Sequence, residues 1–85
     1  MMIATNAEEL IAKMRGGDPR AELPLETKVE KCNSERRDNH QDGTKGIVKG
    51  SLFAPDFNIS SYLVLFEGTN VPVFVVGYKV RKTDY

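Results

Sequence analysis

The chain has 85 residues, with 12 basic and 12 acidic side chains and a formal net charge of zero. Because Cys32 is the one cysteine and His40 the one histidine, the composition excludes an internal disulfide and a four-ligand cysteine–histidine zinc site. The neutral charge counts against nucleic-acid binding driven by phosphate contacts, which usually goes with a large basic excess.

The length fits one small domain, residues 1–85. The longest uninterrupted apolar run, 62–66, is far short of the ~20 residues that span a membrane. The first residues have neither the basic nor the apolar region of a signal peptide, and a lone cysteine is typical of a reducing compartment. We therefore predict a cytoplasmic protein without membrane contact or cofactor.

Residues 5–16 are predicted to form a short N-terminal helix. Asn6 is the candidate N-cap, with Glu9 as its capping-box partner, and Thr5 with Glu8 is the alternative frame. Four apolar residues recur at helical spacing and form one face: Ala7, Leu10, Ile11 and Met14. Since so short a helix is unstable alone in water, this face is expected to pack on the sheet of its own domain or on another subunit.

A linker, 17–24, leads from the helix to a segment predicted to be β-rich, 25–82. The first strand alternates three residues of one face with charged residues of the other: Leu25, Thr27 and Val29. The segment that follows, 33–43, contains no apolar residue and is predicted to be a long exposed loop, here called the polar loop. Residues 83–85 are a polar tail.

Three further strands are predicted, over 44–53, 62–67 and 71–82, with a tight hairpin at 68–70 between the last two. Glycines inside the first and third of these indicate bends: Gly46, Gly50 and Gly77. Four or five short, bent strands usually close into a small barrel or curl strongly. The predicted fold is therefore mainly β, a small barrel or a strongly curled antiparallel sheet of four to five strands, with one short N-terminal helix.

The layout of residues 25–82 resembles that of an SH3-like small barrel. The polar loop corresponds to the RT-type loop of such barrels. The segment 42–50, a glycine turn followed by Gly46-Ile47-Val48, is similar to the entry of KOW-type strands. The strands on either side of Gly68 resemble the final hairpin. The resemblance implies an SH3-like fold, but the aromatic groove of proline-peptide-binding SH3 domains has no match here, so it does not imply binding of proline-rich peptides.

Side chains with catalytic or metal-binding chemistry are sparse. Cys32 and His40 lack a recognisable orienting group and oxyanion donor, which a nucleophile–base pair needs. Asp38, His40 and Asp42 occupy alternate positions of the polar loop. Metal ligands are normally oriented by further groups that hydrogen-bond to them, and the sequence around these three residues indicates no such groups. We predict no catalytic, metal-binding or cofactor-binding residue.

Apolar residues in one connection and one strand form the candidate interaction surface: Phe57, Ile59, Val71, Val73 and Val75. Phe57 and Ile59 either close one end of the barrel or contact a partner. The segment 71–76 is mostly β-branched and carries no charge. We therefore expect it to be central in the sheet or paired with a second copy of the chain, rather than an exposed edge.

Basic residues in and beyond the polar loop form the candidate nucleic-acid surface: Arg36, Arg37, Lys45 and Lys49. Nearby aromatic residues offer stacking surface: Phe53, Phe57 and Tyr62. Glu35 and Asp38 flank the two arginines and offset their field. A solvated, internally neutralised loop is therefore the favoured interpretation over an RNA site.

Three functions follow in order of preference. The first is a non-catalytic protein-interaction or adaptor module, with an unknown protein partner or self-association. The second is an RNA- or ribosome-associated module of KOW-like type. The third is a small enzyme whose active site forms only in an oligomer, ranked last because the sequence holds no local catalytic constellation.

Overall fold

The computed structural model describes the backbone of residues 3–84 and the side chains of residues 8–84. One helix, five strands and one 3-10 turn follow one another along the chain: α1 (Ile3–Arg15), β1 (Lys28–Lys31), β2 (Lys45–Ala54), β3 (Ile59–Phe66), β4 (Val73–Val76), the 3-10 turn (Gly77–Lys79) and β5 (Val80–Lys82). All strand pairs are antiparallel, and their order in the sheet is β4-β3-β2-β1-β5. The prediction of a mainly β fold with one short helix is confirmed.

The sheet is strongly curled but is not closed into a barrel. Its two edges, β4 and β5, are consecutive strands joined only by the 3-10 turn, which has three residues. In a flat five-stranded sheet the edges lie about 19 Å apart, whereas a 3-10 turn rises only about 2 Å per residue. The sheet must therefore curl until its edges approach each other. A register shift between Val48 and Gly50 bends β2 to allow this.

The hydrophobic core fills the concave face of the curled sheet. Residues that alternate along each strand point to this face, and seven of them form the buried cluster: Val29, Val48, Tyr62, Val64, Phe66, Val75 and Val80. The linker 17–24 covers one end of the cluster, because Ala21 and Leu23 pack against it. The backbone N–H of Leu23 donates to Tyr62 Oη at 3.1 Å. The linker therefore covers part of the core in addition to connecting the helix to the sheet.

Helix α1 packs on the convex face of the sheet through its last turn. Met14 is fully buried, and Gly50 permits its approach. A Cβ added at Gly50 would lie 2.8 Å from the Met14 carbonyl oxygen and 2.9 Å from Leu63 Cδ1. Leu10 and Ile11 are each 39% exposed, so the predicted apolar face is only partly covered, and the side chain of Ala7 lies outside the described side chains.

Three predicted boundaries need correction. The third predicted strand, 62–67, begins three residues earlier, since β3 runs from Ile59 to Phe66. The helix begins at Ile3, so Thr5 and Asn6 lie within it and neither is its N-cap. The first strand begins at Lys28, because residues 25 and 26 form a turn. In that turn Glu26 has a φ of 70°, and Thr27 donates through Oγ1 to the Pro24 carbonyl oxygen at 2.7 Å.

The largest difference concerns residues 71–82, which were predicted as one strand with a kink at Gly77. The chain leaves the sheet at Gly77 and re-enters it at the opposite edge. The kink is therefore a crossing between edges. It requires glycine, because a Cβ at Gly77 would lie 2.5 Å from the Ser60 carbonyl oxygen. The 3-10 turn is also tied to β1, since the Cys32 N–H donates to the Lys79 carbonyl oxygen at 2.8 Å.

Candidate functional site

The polar loop is held in a definite shape by its own hydrogen bonds. Asp42 Oδ1 accepts from the Ser34 N–H at 2.9 Å. Gln41 Nε2 donates to the carbonyl oxygens of Glu35 and Asp38, at 3.2 and 2.8 Å. The loop closes where the Gly43 N–H donates to the Lys31 carbonyl oxygen at 2.9 Å. Its polar composition therefore builds an ordered loop through short-range contacts.

A buried lysine anchors this loop to the sheet. Lys31 follows Val29 by two residues and so shares its face of β1, where the side chain is only 5% exposed. Its ammonium donates to Asp38 Oδ2 at 3.0 Å and to Ser34 Oγ at 2.8 Å. Lys79, from the 3-10 turn, donates to the same Asp38 oxygen at 2.8 Å. Asp38 thus joins β1, the polar loop and the 3-10 turn.

Lys31, Asp38 and Lys79 together are here called the anchor. Their contacts determine its electrostatics. The hydrogen bond from Lys79, the backbone N–H of Glu35 and the hydrogen bond from Lys31 together hold the pKa of Asp38 well below its usual range. The carboxylate of Asp38 in turn raises the pKa of Lys79. Within residues 8–84, every buried polar side-chain atom has a hydrogen-bond partner, so the anchor is fully satisfied.

The tip of the polar loop lies over the core and forms a cleft with β4. His40 stacks on Phe66, with ring centroids 4.4 Å apart and an interplanar angle of 27°. Between the loop and β4 is an open cleft of about 380 Å³, here called the β4 cleft. Its walls come from the loop, from β4 and from the anchor: Lys31, Arg37, Asp38, Asn39, His40, Phe66, Val73, Phe74, Val75, Val76 and Lys79.

One wall of the β4 cleft is a free sheet edge. Within residues 3–84, β4 pairs only with β3, so its outer row of N–H and C=O groups has no strand partner. The strand carries no charge, and Phe74 is 55% exposed. The opposite edge differs, because β5 has only three residues and two of them are Arg81 and Lys82. Shortness and charge protect natural edges from pairing, and β4 lacks charge.

A second cavity, of about 440 Å³, lies where the linker meets the start of β3. It is lined by residues of the linker, β2, β3 and the 3-10 turn: Arg20, Glu22, Phe53, Asn58, Ile59, Ser60, Tyr62, Gly77 and Tyr78. Two of its polar side chains already have partners. Arg20 pairs with Asp18 at 2.9 Å, and Ser60 Oγ accepts from the Glu22 N–H at 3.3 Å. These bonds fasten the linker, so the β4 cleft is the stronger candidate site.

The five residues of the predicted interaction surface do not form one surface. Phe57 and Ile59 are exposed near the β2–β3 turn, at the start of β3, and Val71 is exposed in the hairpin at its other end. Val73 is half-buried against the core, and Val75 is a core residue, only 7% exposed. Residues 73–76 of this run form the edge strand β4, so the run is not central in the sheet, and its pairing with a second copy of the chain stays a prediction.

The four predicted nucleic-acid contacts are likewise divided. Lys49 pairs with Glu26 at 3.0 Å. Lys45 lies opposite Glu30 on the convex face, and Glu30 also binds Arg81 at 2.7 Å. Arg37 lines the β4 cleft, and Arg36 is exposed in the polar loop beside it. The four basic residues therefore lie on different surfaces, and two of them, Lys45 and Lys49, lie beside carboxylates.

The groups considered for catalysis have structural contacts. The thiol of Cys32 donates to the Tyr78 carbonyl oxygen at 3.5 Å, while His40 covers Phe66. Among the described residues, no three His, Cys, Asp or Glu side chains are grouped so as to hold a metal ion. The described part of the chain also has no helix long and apolar enough to cross a membrane.

Sequence reasoning missed the two residues that define this site, Lys31 and Lys79. The signal for Lys31 was present, since it continues the inward period of β1 after Val29. Lys79 carried no such signal, because it was placed in a continuous strand.

No family model matches the chain, and neither the curated proteins nor the solved structures include a match.

Proposed function

We propose that this chain is a non-catalytic protein-interaction module that binds an extended segment of a partner protein as an additional strand on β4. The observation that carries the proposal is the uncharged free edge of β4 in the wall of the β4 cleft. In this mode of recognition, main-chain hydrogen bonds supply affinity and pockets for alternate side chains supply specificity. The cleft volume of about 380 Å³ lies within the range of ligand sites.

The β4 cleft is preorganised for binding such a segment. The anchor of Lys31, Asp38 and Lys79 fixes the polar loop at a set distance from β4, so little ordering is left to be done on binding, and ordering is a principal cost of association. Phe74 adds exposed apolar surface beside the edge. On the N-terminal side, Pro72 has no N–H to donate, which limits the added strand to about the length of β4.

Self-association is the competing use of the same edge. A second copy of the chain could pair its own β4 in antiparallel register, which would bury Phe74 of both copies. Light scattering with size-exclusion chromatography over a range of concentrations separates the two. A partner-binding module is expected to be a monomer whose mass is independent of concentration.

The RNA-associated module and the oligomeric enzyme remain predictions that no contact in the described residues favours. A cytoplasmic location is proposed with the interaction function, supported by the free thiol of Cys32.

We expect Phe74→Ala to weaken peptide binding about ten-fold, because the variant removes apolar surface bordering the cleft. Decapeptides are first selected from a display library on the wild-type chain, and their affinities are then measured by fluorescence anisotropy. Phe57→Ala is the matched control, since Phe57 is 75% exposed but lies outside the cleft. The proposal is overturned if no peptide is enriched, or if the enriched peptides respond to Phe57→Ala and ignore Phe74→Ala.

A further inference from the structure

The β4 cleft carries an excess of positive charge. Three of its lining side chains are cationic, Lys31, Arg37 and Lys79, and one is anionic, Asp38, so the difference is two positive charges. A cleft lined mainly by one sign of charge also focuses the field of those charges. An anionic group entering the cleft is therefore favoured over a cationic one.

The three cations are not equivalent. Lys31 and Lys79 share the carboxylate of Asp38, and Lys79 also lies 3.5 Å from Glu35 Oε2. Arg37 is exposed, and no partner for its side chain exists among the described residues. Its guanidinium has five donors in a planar fork that matches a carboxylate in two parallel hydrogen bonds. Arg37 is therefore the group of the cleft with unused capacity for an anion.

We propose that the segment added to β4 is acidic, with an aspartate or glutamate side chain bound by Arg37. This inference rests on the strand-addition function proposed above. In an extended segment, side chains alternate between two faces, so one carboxylate turned toward the polar loop meets Arg37 while its neighbours in sequence point away from it. Apolar residues along the segment pack beside Phe74 and the His40–Phe66 stack.

A polypeptide fits this cleft better than a nucleic acid does. Nucleic-acid affinity grows with the number of phosphates that are neutralised, and the cleft has one cation that is not already engaged with a carboxylate. Stacking of successive bases needs several exposed rings, whereas Phe66 is 1% exposed beneath His40, which leaves Phe74 as the exposed phenyl ring of the cleft. The free main-chain edge of β4 matches the repeat of another strand and has no counterpart in a phosphodiester backbone.

The test uses three fluorescein-labelled host peptides, Ser-Thr-Val-Thr-X-Thr-Val-Thr-Ser-Ser, in which X is glutamate, glutamine or lysine. We expect the glutamate peptide to bind the wild-type chain about ten-fold more tightly than the lysine peptide. Arg37→Gln should remove most of this preference, and Arg37→Glu should reverse it. Arg36→Gln is the matched control, because Arg36 is adjacent and exposed but does not line the cleft. The preference should weaken as salt is added.

The outcomes separate the two proposals. Equal affinity for all three peptides, or a preference that Arg36→Gln removes and Arg37→Gln preserves, overturns the acidic-segment inference and leaves strand addition intact. Binding of none of the three peptides contradicts strand addition itself. A decauridylate RNA is included as a fourth probe. Tighter binding of this RNA than of the glutamate peptide, lost in Arg37→Gln, would show that the cleft serves nucleic acid and would overturn the inference.

Discussion

Asp38→Asn is expected to lower the melting temperature by roughly 10 °C, the largest effect of any single polar substitution considered for this chain. The change leaves the ammonium of Lys31 in its buried position without a carboxylate. A buried charge that has lost its partner is strongly destabilising. Lys79 loses the same partner and keeps only the longer contact with Glu35, at 3.5 Å, so the polar loop is held less firmly to both β1 and the 3-10 turn. Thermal unfolding followed by circular dichroism measures the effect.

Two further variants identify the cause. Asp56→Asn makes the same chemical change at an exposed turn residue and should alter the melting temperature by no more than about 2 °C. Lys31→Met should cost less than Asp38→Asn, because an apolar side chain of similar length needs no charge partner. Combined with Asp38→Asn, it should recover part of the loss. A melting temperature for Asp38→Asn equal to that of Asp56→Asn would show that the anchor does not hold the fold.

Acid should destabilise the chain steeply below about pH 4, the ordinary range of carboxyl groups. Hydrogen bonds from Arg20 and from the Phe53 N–H hold the pKa of Asp18 below its usual range, as Lys79 and Glu35 do for Asp38. As pH falls, the unfolded chain takes up protons at these carboxylates before the folded chain does, which favours unfolding. Their stabilisation is complete at pH 7 and is lost progressively through the acid range. Urea midpoints at pH 7, 4.5 and 3 measure it.

The same series contains its own control. In Asp38→Asn one of the carboxylates with a lowered pKa is absent, so its urea midpoint should fall less between pH 7 and pH 3 than that of the wild type. The two midpoints should therefore converge as pH falls. A gap that stays constant across this range would mean that the charge of Asp38 contributes nothing to stability, contrary to the contacts that it makes with Lys31 and Lys79.

Most of the strands were predictable because the pattern that indicates each one lies within a short stretch of neighbouring residues. The period of two around Val29, the apolar run ending at Phe66 and the glycine turn at Gly68 each depend on neighbouring residues alone. The crossing at Gly77 was not predictable in this way. A kinked strand and a crossing between edges have the same local pattern, and only the position of the Ser60 carbonyl oxygen, 17 positions earlier in the chain, distinguishes them.

The site was less predictable than the fold for the same reason. The absence of apolar residues from the polar loop correctly indicated exposure, but it could not show that Asp38 reaches Lys31 and Lys79 across the molecule. The apolar run 71–76 drew attention to the strand that borders the β4 cleft. Its position at a free edge follows from the order of all five strands, which no single stretch of sequence records.

Strand addition to β4 is tested most directly by a backbone N-methyl scan of the glutamate host peptide. The N–H groups of an added strand point alternately toward β4 and away from it. Methylation at every second position should therefore weaken binding about ten-fold, through a lost hydrogen bond and a steric clash with the edge, while methylation at the intervening positions is tolerated. Losses at adjacent positions without this alternation, or tolerance of methylation at every position, would contradict strand addition.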